Sequence, residues 1–275
     1  MQSAASPLKN NSLHRSVSAD AVRLISLEGG PISRFTQTAD DKPTVAGYLS
    51  GDAEIPAYLE KIYWWTYVRP WAIRFFERQW LVNAILFGNY VKLRDGALDA
   101  LGATLPGKTL QIACVYGDMT NRLYDRVRAG DGRLDVVDVL PGQIENLRRK
   151  LPPSAHVNGM VMDSAALKAP DGRYDRAILF FLLHEQPEEW RRKTLAEAFR
   201  VVRPGGRIVI VDYARPKWWS PFRYLMPPAL ALLEPFALDL WRSDVQAFLR
   251  PPAGLRSLAR KTVFGGLYQC VVIER

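Results

Sequence analysis

The sequence predicts an α/β domain: a parallel sheet with helices on both faces, preceded by an aromatic-rich helical segment and closed by a β hairpin. Three observations carry that expectation. Short apolar runs alternate with helix-period segments from about residue 107 to 213, and strict alternation implies right-handed crossovers between parallel strands. Two further β-type runs flank the Gly265-Gly266 pair near the end of the chain, a turn signal between strands. The 275 residues are 48% apolar and 24% charged, which is ordinary globular usage and excludes disorder throughout.

Residues 1–50 are rich in Ser, Asp, Gly and Pro, lack periodicity and read as a flexible arm. Its first 19 residues share with transit peptides a Ser-rich, acid-free composition, with Lys9 and Arg15 as the basic residues. Residues 51–104 read as a helical lid dense in aromatics, among them Tyr58, Tyr63, Trp64, Trp65, Tyr67, Trp71, Phe75, Phe76 and Trp80. Pro70 should end or kink one helix there. Two roles stay open for this segment, packing on the following domain or handling a large apolar ligand.

Residues 105–275 form the remaining domain. Strands are expected at Thr109 to Val115, Leu134 to Val139, His156 to Met162, Arg173 to Leu183 and Arg207 to Tyr213, with helices over Asn121 to Arg128, Gln143 to Leu151 and Glu188 to Val202. An insertion at about 214–254 follows, in which Pro227 and Pro228 should break the apolar run from Leu225 to Leu233. The hairpin pairs Lys261 to Phe264 with Leu267 to Glu274.

Cys114 and Cys270 sit inside apolar runs, so neither a disulfide framework nor a zinc site is indicated. No apolar stretch reaches the roughly 18–20 residues that a spanning helix requires. The formal net charge is +9, and residues 214–275 hold nine Lys and Arg against four Asp and Glu. With Trp218 and Trp219 as interface anchors, that segment suits an anionic membrane surface, although Arg215, Lys217 and Arg223 would also serve solubility alone. No nucleic-acid module is recognisable, and nucleic acid is not an expected partner.

Ligands of an open parallel sheet gather at the carboxyl ends of its strands. Those ends carry Tyr116, Gly117 and Asp118, then Asp138, Asp163, His184 with Glu185, and Asp212 with Tyr213. Asp138, about 20 residues beyond the first turn, stands where an acid accepts hydrogen bonds from ribose hydroxyls.

The segments LQIACVYGDMT, LDVVDVLPGQIENLRRKL, VMDSAALKAPDGRYDRAILFFLLHEQPEEW and FRVVRPGGRIVIVDYARP resemble the successive motifs of class I S-adenosylmethionine-dependent methyltransferases, especially the quinone-ring enzymes. The resemblance implies a Rossmann-like fold, with Gly117 as the surviving glycine of the donor loop, Asp138 on the ribose, Asp163 and Ser164 beside the adenine, and His184 facing the acceptor. This chain departs from the family's acid-x-Gly-x-Gly-x-Gly by placing Gln111, Ala113 and Val115 before Gly117. Glycines there let the backbone approach the donor without a Cβ. Val115 and Tyr116 should crowd that approach, and Gln111 lacks the charge that orders the donor's amino-acid end.

Together with YWWTYVRPWAIRFFERQWLVN and LFFLLHEQP, the altered loop is similar to a narrower family, the rhodoquinone biosynthesis proteins. That resemblance implies replacement of a methoxy group of ubiquinone by an amino group, with S-adenosylmethionine as nitrogen donor and manganese (Mn2+) required. Related quinone-precursor O-methyltransferases hold a metal with an acid and a histidine after the fourth strand; by resemblance to them His184 and Glu185 are the expected metal ligands, in reversed order, with Asp118 of the neighbouring loop as a third. Tyr116 either positions the quinone or the donor through its hydroxyl, or fills the space of the absent glycines. A conventional quinone or phenol methyltransferase and a non-catalytic scaffold for other quinone-pathway proteins are the competing readings. The expected location is peripheral, on the cytoplasmic face of a bacterial inner membrane, or mitochondrial in a eukaryote.

Overall fold

The computed structural model describes residues 56–62, 75–151, 153–249 and 255–275, all of them within one compact unit, Lys42–Arg275. The arm expected at 1–50, and Tyr63, Trp64, Trp65, Tyr67, Pro70 and Trp71 of the lid, lie outside the described residues.

Seven strands form one sheet: β1 (Lys108–Ile112), β2 (Arg133–Asp138), β3 (Val157–Val161), β4 (Tyr174–Phe180), β5 (Val202–Tyr213), β6 (Ser257–Val263) and β7 (Tyr268–Glu274). Their order is β3-β2-β1-β4-β5-β7-β6. Pairings from β3 through β5 are parallel, and the hairpin adds β7 antiparallel to β5. Strand order therefore reverses between β1 and β4, and ligands of such sheets bind at that crevice.

The described helices are α1 (Ala57–Ile62), α2 (Gln79–Ile85), α3 (Tyr90–Leu101), α4 (Met119–Ala129), α5 (Pro141–Lys150), α6 (Glu188–Val201), α7 (Phe222–Leu233), α8 (Ala237–Arg242) and α9 (Val245–Phe248). Side chains alternate across a strand, so the central strands feed two cores. Ile178 and Phe180 of β4 join Val209 and Val211 of β5 against α3 and α4, where Leu93, Leu98, Leu123 and Val127 are buried. Ala177 and Leu179 join Ile208 and Ile210 on the other face, against Leu195, Ala198 and Phe199 of α6. Covering both faces is why these strands read as continuous apolar runs.

Three expectations need correction. β1 ends at Ile112, before Val115, because Ala113 takes φ +70° and turns the chain out of the sheet. β4 likewise ends at Phe180, since Phe181 has φ +56°, and Leu183–Glu185 is a 3-10 turn rather than strand. The apolar run around Pro227 and Pro228 is not broken: α7 runs through both prolines. Each proline removes one N–H, which costs the carbonyls of Arg223 and Tyr224 their helical partners. Tyr224, Pro228 and Ala229 are exposed, so water replaces those partners.

Arg191 locks the turn after β4. Its side chain is fully buried, and its guanidinium donates to the carbonyls of Leu183 (2.9 Å), Gln186 (2.8 Å) and Phe236 (3.0 Å). Removing that group leaves three carbonyls short of a donor. Arg191→Met should cost about 3 kcal/mol or more, read as a lower urea midpoint at unchanged slope. A loss within about 0.5 kcal/mol would mean that the turn is held by the sheet alone.

Candidate active site

A cavity of about 400 Å³ opens at the switch point between β1 and β4, within the size range of small-molecule sites. Its walls come from the donor-loop position (Ala113, Cys114, Val115, Tyr116), the end of β2 (Asp138), the segment after β3 (Asp163, Ser164), the turn after β4 (His184, Glu185, Gln186) and Glu234 just past α7. Tyr58, Phe76, Val82, Ile85 and Leu86 cover it from the lid side. No Lys or Arg is among these described lining residues.

Asp138 is buried on the cavity wall. Its Oδ2 accepts from Cys114 N at 2.8 Å and its Oδ1 from Leu140 N at 2.9 Å, so one carboxylate ties the loop after β1 to the start of α5. Burial pushes its carboxyl up to about 6, against the opposing pull of those two hydrogen bonds. Asp163 accepts from Ala165 N at 2.8 Å. Ser164 Oγ lies 2.9 Å from Thr194 Oγ1 and accepts from Gln186 Nε2 at 3.0 Å.

The loop after β1 is held by side chains rather than by glycine geometry. Lys150, at the end of α5, donates to the carbonyls of Val115 (2.9 Å) and Gly117 (2.6 Å) and pairs with Glu77 at 2.6 Å. Glu77 also accepts from Asn146 Nδ2 at 2.6 Å. Gln111 does not line the cavity: its Nε2 donates to Ala113 O and Thr120 Oγ1, both at 3.0 Å. Val115 and Tyr116 do line it, and the Tyr116 ring stacks on Phe76 at 5.9 Å while its hydroxyl accepts from Gln143. Gly117 has φ +82°, and a Cβ there would fall 2.6 Å from the Tyr90 hydroxyl. Packing on Tyr90 thus sets the need for glycine at this position.

The structure does not bring the three expected metal ligands together. Asp118 lies off the cavity, its oxygens 2.7 and 2.8 Å from Arg94 Nη1, with Tyr90 Oη and Arg122 Nε also donating to it. Burial would raise its carboxyl, but the Arg94 and Arg122 hydrogen bonds outweigh that and hold it below the usual carboxylate range. His184 is buried between carboxylates: Nδ1 is 3.0 Å from Asp212 Oδ1, and Nε2 is 2.9 Å from Glu234 Oε2 and 3.8 Å from Glu185 Oε1. Burial alone would lower its pKa, yet Glu234 and Asp212 raise it well above the ordinary value, which favours the imidazolium form. Among the described residues no group of three or more His, Cys, Asp and Glu is arranged to hold an ion, so the implied manganese does not fit the expected donor set.

Sequence reasoning missed Glu234, Lys150, Glu77, Gln143 and Tyr58 as parts of the site. Glu234 and Glu77 reach it from segments that no strand-end rule addresses. Lys150 looked like an ordinary basic residue in the last turn of a helix. The Tyr58 ring packs edge-on to Trp190 and Phe236, and its hydroxyl is raised by burial and then by the charges of Glu185 and Asp163.

Residues 109–206 match the family model described as a methyltransferase domain. The demethylmenaquinone methyltransferase of Beutenbergia cavernae is 30% identical over 194 residues, covering 63% of this chain and 76% of that protein. The ubiquinone/menaquinone biosynthesis C-methyltransferase UbiE of Pasteurella multocida is 28% identical over 140 residues, 50% of this chain and 51% of that one, so the chain spans about half of its length. Among solved structures, human N-acetylserotonin methyltransferase in complex with S-adenosylmethionine superposes with a TM-score of 0.54 at 15% identity, over 79% of this chain and 62% of that chain. That last likeness speaks to the fold alone.

His184 offers a direct test of the electrostatics. Its folded-state pKa lies above the unfolded value of about 6.5, so the ion pair stabilises fully below that pH and fades as pH rises through the folded-state value. Glu234→Gln should move the His184 titration, followed by imidazole NMR, toward lower pH. Its penalty in Tm should shrink as pH rises. A midpoint indifferent to the substitution sinks the ion-pair account.

Proposed function

The chain belongs to the class I S-adenosylmethionine-dependent methyltransferases, in the family of the quinone-ring enzymes, and from that premise we propose that it converts ubiquinone to rhodoquinone, with S-adenosylmethionine as amino donor in place of methyl donor. The observation that carries this reading is the rebuilt donor loop. Ala113 and Val115 line the cavity at positions where the family keeps glycines, with Cys114 and Tyr116 beside them, while Asp138, Asp163 and Ser164 remain on its wall. A donor anchored at its ribose and adenine but displaced at its amino-acid end would present a different group to the ring.

A quinone carbon bearing methoxy and conjugated to a carbonyl is a vinylogous ester. Addition of an amine there forms the C–N bond and moves an electron pair onto the carbonyl oxygen; collapse breaks the C–O bond, and methoxide leaves as methanol with a proton from nitrogen. The nitrogen then still carries the donor's Cα: loss of the Cα proton tautomerises the adduct to an imine as the quinone takes up two electrons and two protons, and water hydrolyses that imine, breaking the N–Cα link to release the aminoquinol and the donor's α-keto acid. His184 supplies a fixed positive charge for that oxygen. Its Nε2 faces Glu234 Oε2 at 2.9 Å, so a substrate oxygen reaches that N–H by sharing it with the carboxylate. Glu185 and Glu234, on the same wall, attract the donor's ammonium and accept the proton it must lose before attack. Polarisation of the carbonyl falls to His184.

The relatives, a demethylmenaquinone methyltransferase and a ubiquinone/menaquinone C-methyltransferase, favour a second reading, methyl transfer to a quinone ring. Either substrate keeps its isoprenoid tail in a bilayer, so the reading includes peripheral contact with a membrane: the cytoplasmic face of the inner membrane in a bacterium, or mitochondrial in a eukaryote.

Incubation with short-tail ubiquinone and S-adenosylmethionine carrying 15N at its amino group separates the readings. A 15N-labelled aminoquinone by mass spectrometry is the expected product. S-adenosylhomocysteine with a methylated quinone would establish methyl transfer, and neither product despite donor binding would return the chain to a scaffold. Donor affinity should also track Asp138, because ribose hydroxyls need an ionised acceptor. With its carboxyl at about 6, affinity by calorimetry should fall about tenfold from pH 7.5 to 5. Asp138→Asn should bind about 10- to 100-fold more weakly at pH 7.5 and lose that pH dependence.

A further inference from the structure

The large apolar side chains left in solvent are not scattered. Trp218 (76% exposed), Tyr224 (66%), Leu225 (70%) and Leu232 (81%) lie on α7 or just before it. Leu225, Ala229 and Leu232 are exposed at helical spacing, which makes one outward stripe. The only charged residue within α7 is Arg223, and it is turned back to donate to Pro216 O at 2.9 Å.

This stripe runs into the cavity mouth. Leu233 at the end of α7 and Ile85 at the end of α2 are both exposed and both line the cavity. Phe87, also exposed, packs on Phe222 at 5.0 Å and brings the start of α7 beside the end of α2. Beside the stripe, Arg215 and Lys217 are exposed next to Trp218 and Trp219, with the Lys217 ammonium 5.9 Å from the Trp219 ring.

We propose that this face is a docking surface for an anionic lipid bilayer, with α7 lying in the interface and the mouth between Ile85 and Leu233 opening toward the acyl region. An apolar helix face with aromatic residues and flanking cations is the composition of an interfacial helix, and α7 is too short to span. Continuity with the mouth decides the occupant. A protein partner or a second copy seated on Leu225 and Leu232 would obstruct the cavity, whereas a lipid phase supplies an apolar ligand to it. The choice of lipid as that source rests on the polyprenyl quinone reading.

The test is co-sedimentation of the full chain with sucrose-loaded vesicles of phosphatidylcholine, alone or with about 30 mol% phosphatidylglycerol. The protein should pellet with the anionic vesicles, less so at high salt. Leu225→Glu/Leu232→Glu should weaken partitioning by about tenfold or more, and Trp218→Ser/Trp219→Ser should weaken it independently. The Leu225→Glu/Leu232→Glu variant should turn over a water-soluble short-tail quinone as the parent does, yet lose about tenfold on a long-tail quinone held in vesicles. Absence of vesicle binding in the parent, or unchanged binding in both variants, overturns the proposal. So does a parent dimer, by light scattering, that the glutamates convert to monomer with vesicle binding intact, because the face then serves self-association. Vesicle binding requires no turnover: binding without product from any quinone would sink the proposed reaction and leave this surface standing.

Discussion

The buried carboxylate of Asp212 is the contact on which the rest of the site depends. It is fully inaccessible, and it accepts from the backbone N–H groups of Leu183, His184 and Tyr213 while its Oδ1 faces His184 Nδ1. One group therefore closes the turn after β4 and fixes the plane of the imidazole. Asp212 is itself held because β5 pairs on both sides, with β4 in parallel and with β7 antiparallel, where Asp212 stands opposite Gln269. Gln269 Nε2 then donates to Tyr213 O at 2.7 Å. The terminal hairpin thus reaches the chemistry through the sheet, and Arg191 holds the same turn from the helical side.

The loop after β1 solves a different problem. A glycine-rich loop lets backbone approach a donor; this loop has given up two of those three positions and must be ordered by other means. Asp138 takes Cys114 N, Gln111 takes Ala113 O, and Lys150 takes two carbonyls while Glu77 and Asn146 steady the lysine. Ala113 keeps φ +70°, an αL residue that costs about 1–2 kcal/mol without glycine. Strain of that kind persists only where surroundings over-determine it. A loop decaying without function would relax it; here five side chains maintain it, which argues for a reshaped donor site.

Much of the fold was legible because the two-face burial of a parallel sheet leaves continuous apolar runs, and because each run ended in a polar residue at a strand's carboxyl end. Asp138, Asp163 and His184 follow from that rule and do meet at one cavity. Gln111 and Asp118 were misplaced by it, since proximity along the chain says nothing of which way a side chain turns once Ala113 bends the backbone. Glu234 was invisible for a related reason: prolines suggested a broken segment, and only an intact α7 delivers its last residue to His184. Gly117 was legible as a glycine but not for its cause, because nothing in the motif announces that Tyr90 packs beneath it.

The distribution of charge connects these parts. Four carboxylates, Asp138, Asp163, Glu185 and Glu234, line the described wall against a single imidazolium. S-adenosylmethionine carries a sulfonium and an ammonium against one carboxylate, so the cavity's sign suits it. In the family's motif an acid at the position of Gln111 orders the amino-acid end beside β1. Here that position is neutral and turned onto its own loop, while Glu185 and Glu234 stand across the switch point beside His184. Under the proposed reaction the ribose stays on Asp138 and the strongest pull on the ammonium moves from β1 to the end of β4. The nitrogen is then drawn to the same wall as the cation that polarises the quinone carbonyl, which is the arrangement that an amine addition needs and that a methyl transfer would not use.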